Sequence, residues 1–200
     1  GINSNQRIGV NYSQNTQKLK YGGSIEIREN QRDSWSKRHT ESFLSDNTSQ
    51  LSQQNNQSNG KTDAISGNFR FEWKIDSLTT IMYRPSVNFS KGNSNSGSFS
   101  ETLNNELIPI NQKEATNRQT NDRFSTNGSL QFNRKLNSKG RNIALRLYYN
   151  LDNGNSDRYS LANTYYLKYG DSIKVQNQWI DNLNRNHEYR VQLTYMEPVF

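Results

Sequence analysis

The sequence contains no cysteine, two histidines and three prolines, and no apolar run approaching twenty residues. Without thiols there is neither a disulfide framework nor a thiolate metal site, and His39 and His187 alone cannot assemble an imidazole cluster. The lack of a long apolar run excludes a transmembrane helix, and Gly1 opens on polar residues without the apolar core of a signal peptide. Aliphatic residues are scarce as well. Only 30% of the 200 residues are hydrophobic and the mean hydropathy is −1.09, while asparagine and serine fill roughly a quarter of the chain, a balance usually associated with disorder. Three Trp, eleven Tyr and eight Phe contradict that reading, because a solvated tail carries few aromatics. The apolar material is therefore concentrated in particular places.

From Ile65 to Ile75 the odd positions read Ile65, Gly67, Phe69, Phe71, Trp73, Ile75, and the even ones Ser66, Asn68, Arg70, Glu72, Lys74. A period of two is the mark of a strand with one apolar and one polar face. The pattern recurs at Ile8 to Tyr12, Tyr21 to Ile27, Ile81 to Phe89, Thr126 to Phe132, Ile143 to Leu151 and Tyr189 to Tyr195, which predicts seven strands. Short polar turns at Gln14 to Gln17, Asp76 to Ser77 and Asn137 to Gly140 join them as hairpins, at intervals of about sixty residues. Between the hairpins lie Glu29 to Lys61, Ser90 to Thr120 and Asp152 to Arg185, rich in Asn, Ser, Gln and Gly, which read as long loops.

Short turns at one end and long loops at the other are habitual in outer-membrane barrels, whose strands of about ten residues alternate apolar-out and polar-in between two aromatic girdles. In that picture Tyr12, Tyr21, Trp73, Tyr83, Phe132 and Tyr195 form the periplasmic girdle, and Phe89, Tyr149 and Tyr189 approach the outer one. Glu26, Arg28, Arg70, Glu72, Arg84, Arg146 and Arg190 all point the other way, to the lumen. There they either contact a plug or passing solute or form a hydrated wall. An odd number of strands leaves open edges, so residues 1–200 read as part of a barrel domain, without signal peptide, plug or remaining strands.

The hairpin Phe69-Arg70-Phe71-Glu72-Trp73-Lys74-Ile75-Asp76-Ser77-Leu78-Thr79-Thr80-Ile81-Met82-Tyr83-Arg84-Pro85 resembles a segment of outer-membrane β-barrel proteins of the Bacteroidetes type, related to TonB-dependent receptors. So do Asn133 to Arg141 and the terminal Tyr195-Met196-Glu197-Pro198. The resemblance implies a larger outer-membrane protein with a carboxypeptidase-regulatory-like domain, a plug and a barrel of about twenty-two strands. It implies nutrient uptake powered through the TonB system, with membrane lipid, the plug and a small solute or glycan as partners.

No nucleophile elbow, phosphate-cradling glycine loop or zinc-binding histidine pair is present, so neither catalysis nor a cofactor is expected, and both histidines read as solvated. The basic turn cluster Arg134, Lys135, Lys139 and Arg141 reads as a lipid-phosphate anchor, not a nucleic-acid site, despite the net charge of +7. Trp35, Phe43, Phe99, Tyr165, Tyr166, Tyr169 and Trp179 are aromatics within polar segments, where they either stack on a ligand or pack the loops and continue the strands. Tyr159, Leu161, Tyr165 and Leu167, with Ile173 and Val175 after Gly170-Asp171, read as an extra hairpin. The rival architecture is a secreted β-sandwich or adhesin-like module that buries its apolar faces and binds glycan or protein through its loops.

Overall fold

A computed structural model describes residues 1–43, 49–137, 140–168 and 172–198. They form one open antiparallel sheet in chain order, β1 (Ile2–Asn15), β2 (Leu19–Phe43), β3 (Ser49–Lys74), β4 (Thr79–Leu103), β5 (Pro109–Lys135), β6 (Asn142–Tyr166) and β7 (Ser172–Met196), with no helix among the described residues. The seven expected strands are present, but β2 to β7 run 25 to 27 residues each. The described residues of the long loops expected at Glu29 to Lys61, Ser90 to Thr120 and Asp152 to Arg185 instead lie, apart from the turn at 104–108 and residues 167–168, in the far halves of these strands. Trp35 pairs with Gln57, Asn95 with Arg118, and Tyr159 with Trp179. The physical reason is that both faces are polar there: the backbone ladder is continuous while the hydropathy alternation that betrays a strand vanishes.

The turns are closed by local side-chain bonds. Thr16 accepts from the amide of Leu19 at 2.9 Å. The Asp76 carboxylate accepts from the amide of Leu78 at 2.7 Å and from the Thr79 hydroxyl at 3.2 Å. Those bonds hold the Asp76 carboxyl below its ordinary range, the Leu78 amide first among the causes. At the opposite end, Asn104 accepts from the amides of Glu106 and Ile108 and turns the chain through Leu107 at φ 61°. Gly140 supplies the left-handed residue of the β5–β6 turn at φ 99°. The extra hairpin at the β6–β7 end is the ladder Tyr159↔Trp179 to Tyr165↔Ile173, with Gly170 and Asp171 outside the described residues.

Among the described residues no second layer covers either face. The buried hydrophobic residues are Ala64, Leu103 and Ala162, and no large side chain among the described residues is fully buried. The sandwich alternative required Phe71, Trp73, Leu145 and Leu147 to be enclosed, yet Leu145 is half-buried and the other three are 38%, 44% and 38% exposed. Full burial of one such side chain is worth roughly 1.5–3 kcal/mol, and the exposed part of each forgoes its share of that. The ladder organises the chain, and the apolar face still needs an apolar neighbour.

Candidate functional site

Register partners share a face, so the pairing fixes what each surface carries. One face gathers the apolar residues. A row across the first five strands reads Ile8, Ile27, Ile65, Phe89, Phe124, and the same row reaches Asn153 and Arg185 in β6 and β7. Further down, Tyr12, Gly23 and Phe69 share a row with Pro85, Gly128, Tyr149 and Tyr189; the ladder skips a step at Pro85, which has no amide hydrogen to give. Below them come Leu19, Trp73, Ile81, Phe132, Leu145 and Leu193.

The apolar band crosses these rows obliquely. Its upper limit lies at Ile8 in β1 but four residues below that row in β7, at Tyr189. Its lower limit lies at Tyr12 in β1 but six residues below that row in β7, at Tyr195. A level plane cut through strands tilted by about 40° shifts by about one residue per strand, or about seven across the sheet. From Ile65 in β3 to Ile75, just past the end of that strand, the band spans about 33 Å of extended chain, which the same tilt projects to about 25 Å. The obliquity also explains how Tyr12 ends the band below while Tyr149 and Tyr189, in its own row, lie toward the top.

Aromatic rings on this face lie over glycines. The Phe69 ring occupies the space a Cβ at Gly23 would need, 2.5 Å from its Cδ1. Tyr149 lies across Gly128, and its hydroxyl meets that of Tyr83, two strands away, at 3.1 Å. One phenol donates to the other in this half-buried setting. Tyr12 and Tyr21 sit with ring centroids 6.1 Å apart, and both donate to Gln14 Oε1, at 2.9 and 2.6 Å. Trp73, Phe132 and Tyr195 complete the expected lower girdle positions on the same face; the Tyr195 hydroxyl donates to Glu197.

Above the band the same face turns charged within one step. Glu29, Asp63, Lys91 and Asp122 form the next row, with Lys61 just beyond. Lys61 binds Glu29 at 2.9 Å and Asp63 at 3.6 Å, and Lys91 reaches Asp122 at 4.0 Å. Such exposed pairs contribute little stability, about 0–1 kcal/mol each, but they mark where the apolar environment ends.

The opposite face holds small polar residues and the seven expected lumen charges. Glu72 is nearly enclosed between Arg70 at 2.9 Å and Lys20 at 3.7 Å. Arg70 and Lys20 border a cup of about 570 Å³ on Gly22, with Asn11, Ser13, Ser24 and Asn68. Glu26 pairs with Arg7 at 3.4 Å. Arg190 binds Glu188 at 3.0 Å and lies 6.0 Å from the centre of the Tyr148 ring, while Arg146 donates to Gln131 at 3.4 Å. Arg28 and Arg84 have no carboxylate within 4.0 Å among the described residues. A pair absent from the sequence reading, Arg123 with Asp152, closes on this face at 2.6 Å; only the register, which brings β5 against β6, reveals it.

The aromatics expected in loops lie on strands. Trp35, Phe43, Phe99, Tyr165 and Trp179 continue the parity of the apolar face above the charged row, and Tyr166 faces the other way. They do not converge on one point, and Tyr169 lies outside the described residues, as does Lys139 of the basic turn cluster. His187 sits 3.4 Å from Asn153 Oδ1, and His39 is exposed on β2. Among the described residues no group of three or more His, Cys, Asp or Glu could hold a metal. No protein-family model matches this chain, and no curated protein matches it either.

Proposed function

We propose that this sheet is an arc of the wall of a bacterial outer-membrane β-barrel, of the TonB-dependent-receptor-like kind, that takes up a nutrient at the cell surface. The observation that carries this reading is the oblique apolar band, uncovered by protein and about as tall as the hydrocarbon core. Acyl chains cover it in this reading, and the charged row from Glu29 to Asp122 lies at the outer headgroups. The opposite face is the lumen wall. Its excess of Arg over carboxylate, with Arg28 and Arg84 unopposed, suits an anionic solute or the acidic surface of a plug. Energy coupling through TonB and binding of a small solute or glycan follow from the family resemblance, and no catalytic step is assigned.

The test uses the full polypeptide in cells lacking the native copy. Arg70→Ala combined with Arg84→Ala is expected to leave the protein in the outer membrane but lower solute uptake about tenfold, the loss of one or two charge-assisted contacts. Unchanged uptake would remove the lumen role. Recovery of the wild-type protein as a soluble monomer without detergent would remove the barrel.

A further inference from the structure

Beyond the charged row, β2 to β7 rise a further eleven to fourteen residues, and their surface there on the band side is neither apolar nor densely charged. At its centre lies an open cup of about 450 Å³, within the usual range for small-molecule sites, about 300–1,000 Å³. Gly97 forms the floor; nothing stands within 4 Å of where its Cβ would be, so a site for a side chain is left open. Gln57, Asn59, Asn95, Thr116, Arg118 and Tyr159 form the walls. The register places all of them on one face of β3 to β6.

We propose that this cup binds a saccharide. Asn95 donates to Asn59 Oδ1 at 3.4 Å, and Arg118 donates through Nε to Asn95 Oδ1 at 3.3 Å, a chain that links two amides and a guanidinium along one row of the sheet. No carboxylate among the described residues lies within salt-bridge distance of Arg118, so its terminal N–H groups are available to a ligand. Amides that both donate and accept match vicinal hydroxyls, which do the same. Tyr159, 38% exposed, offers its ring to the C–H face of a sugar, and Trp179, its register partner and 71% exposed, extends that platform.

Other ligand classes fit less well. A nucleic acid, with a phosphate on every residue, would need more cations than the single arginine of the cup. An added peptide strand would need a free sheet edge, and β3 to β6 are paired on both sides. Asn59 lies six residues above Ile65, about 20 Å along the strand and about 15 Å above the band at a tilt of about 40°. The sugar therefore comes either from a glycolipid headgroup in the same leaflet or from a free glycan. The cup itself rests on the strand geometry and not on the membrane reading.

Binding is measured by calorimetry on the full polypeptide with three probes: rough lipopolysaccharide in phosphatidylcholine vesicles, the core oligosaccharide released from it, and a panel of free plant and bacterial oligosaccharides. At least one probe is expected to bind, and Tyr159→Ala, Arg118→Ala and Gly97→Leu are each expected to weaken it about tenfold or more. The Cβ of Gly97→Leu meets no atom within 4 Å, and urea unfolding of this variant alongside the wild type separates lost binding from lost folding. Binding of the vesicle probe alone assigns the glycolipid, and binding of free oligosaccharide assigns the soluble source. No binding of any probe at millimolar concentration, or equal binding by the wild type and all three variants, overturns the proposal. Insertion into vesicles without sugar binding would leave the barrel standing. Sugar binding by a protein that stays soluble without lipid would leave the cup standing and remove the barrel.

Discussion

Leu147→Arg is expected to destabilise the protein in lipid vesicles by about 2–4 kcal/mol, the cost of a basic side chain at mid-membrane on a barrel's lipid face. Leu147 is the middle residue of the apolar stretch Ile143 to Leu151 in β6, with Leu130 and Val191 as its register partners. Its guanidinium would have four residues of apolar strand in either direction, about 13 Å, too far for snorkelling to reach water. Asn150→Arg, three residues on, faces the other way with Glu188 as register partner, and is expected to change stability by less than about 1 kcal/mol. Urea unfolding of the two variants in vesicles measures the contrast. Similar small changes at both positions would mean that both faces meet water.

Gly23→Val is expected to cost about 1–3 kcal/mol or more, as overpacking does, even though valine has the better intrinsic preference for a strand. Its Cβ would lie 2.5 Å from Phe69 Cδ1 and 2.8 Å from the backbone oxygen of Asn68. A ring can swing aside, whereas a ladder carbonyl cannot without loosening the pairing of β2 with β3. Gly97→Val serves as the control, because nothing opposes its Cβ; it is expected to be neutral or to stabilise by up to about 1 kcal/mol. Equal destabilisation at the two glycines in the same unfolding assay would show that Phe69 does not lie over Gly23 in the folded protein.

The near halves of the strands were legible because water and apolar surroundings impose opposite demands on alternate residues. Phe71 beside Glu72, or Leu145 beside Arg146, admits one geometry. The far halves escaped because Asn55, Asn56, Gln57 and Ser58 satisfy water on both sides, and such residues compose loops and polar strands alike. Parity was the available signal. Trp35, Phe43, Phe99, Tyr165 and Trp179 keep the odd numbering of the apolar face in their strands, which a loop has no reason to preserve. The Arg123–Asp152 pair and the cup at Gly97 lay beyond sequence reading for another reason. The cup joins residues of two hairpins and the pair bridges the two strands of one, and in both cases only the register decides which side chains meet.

The three tryptophans allow the most direct test of where the band lies. Trp73 sits within it, whereas Trp35 and Trp179 sit above the charged row on the same face. Single-tryptophan variants, with phenylalanine at the other two positions, are inserted into vesicles whose acyl chains carry bromine near the headgroup. The account predicts strong quenching of Trp73 and none beyond background for Trp35 and Trp179. Trp73 as unquenched as the other two would contradict it.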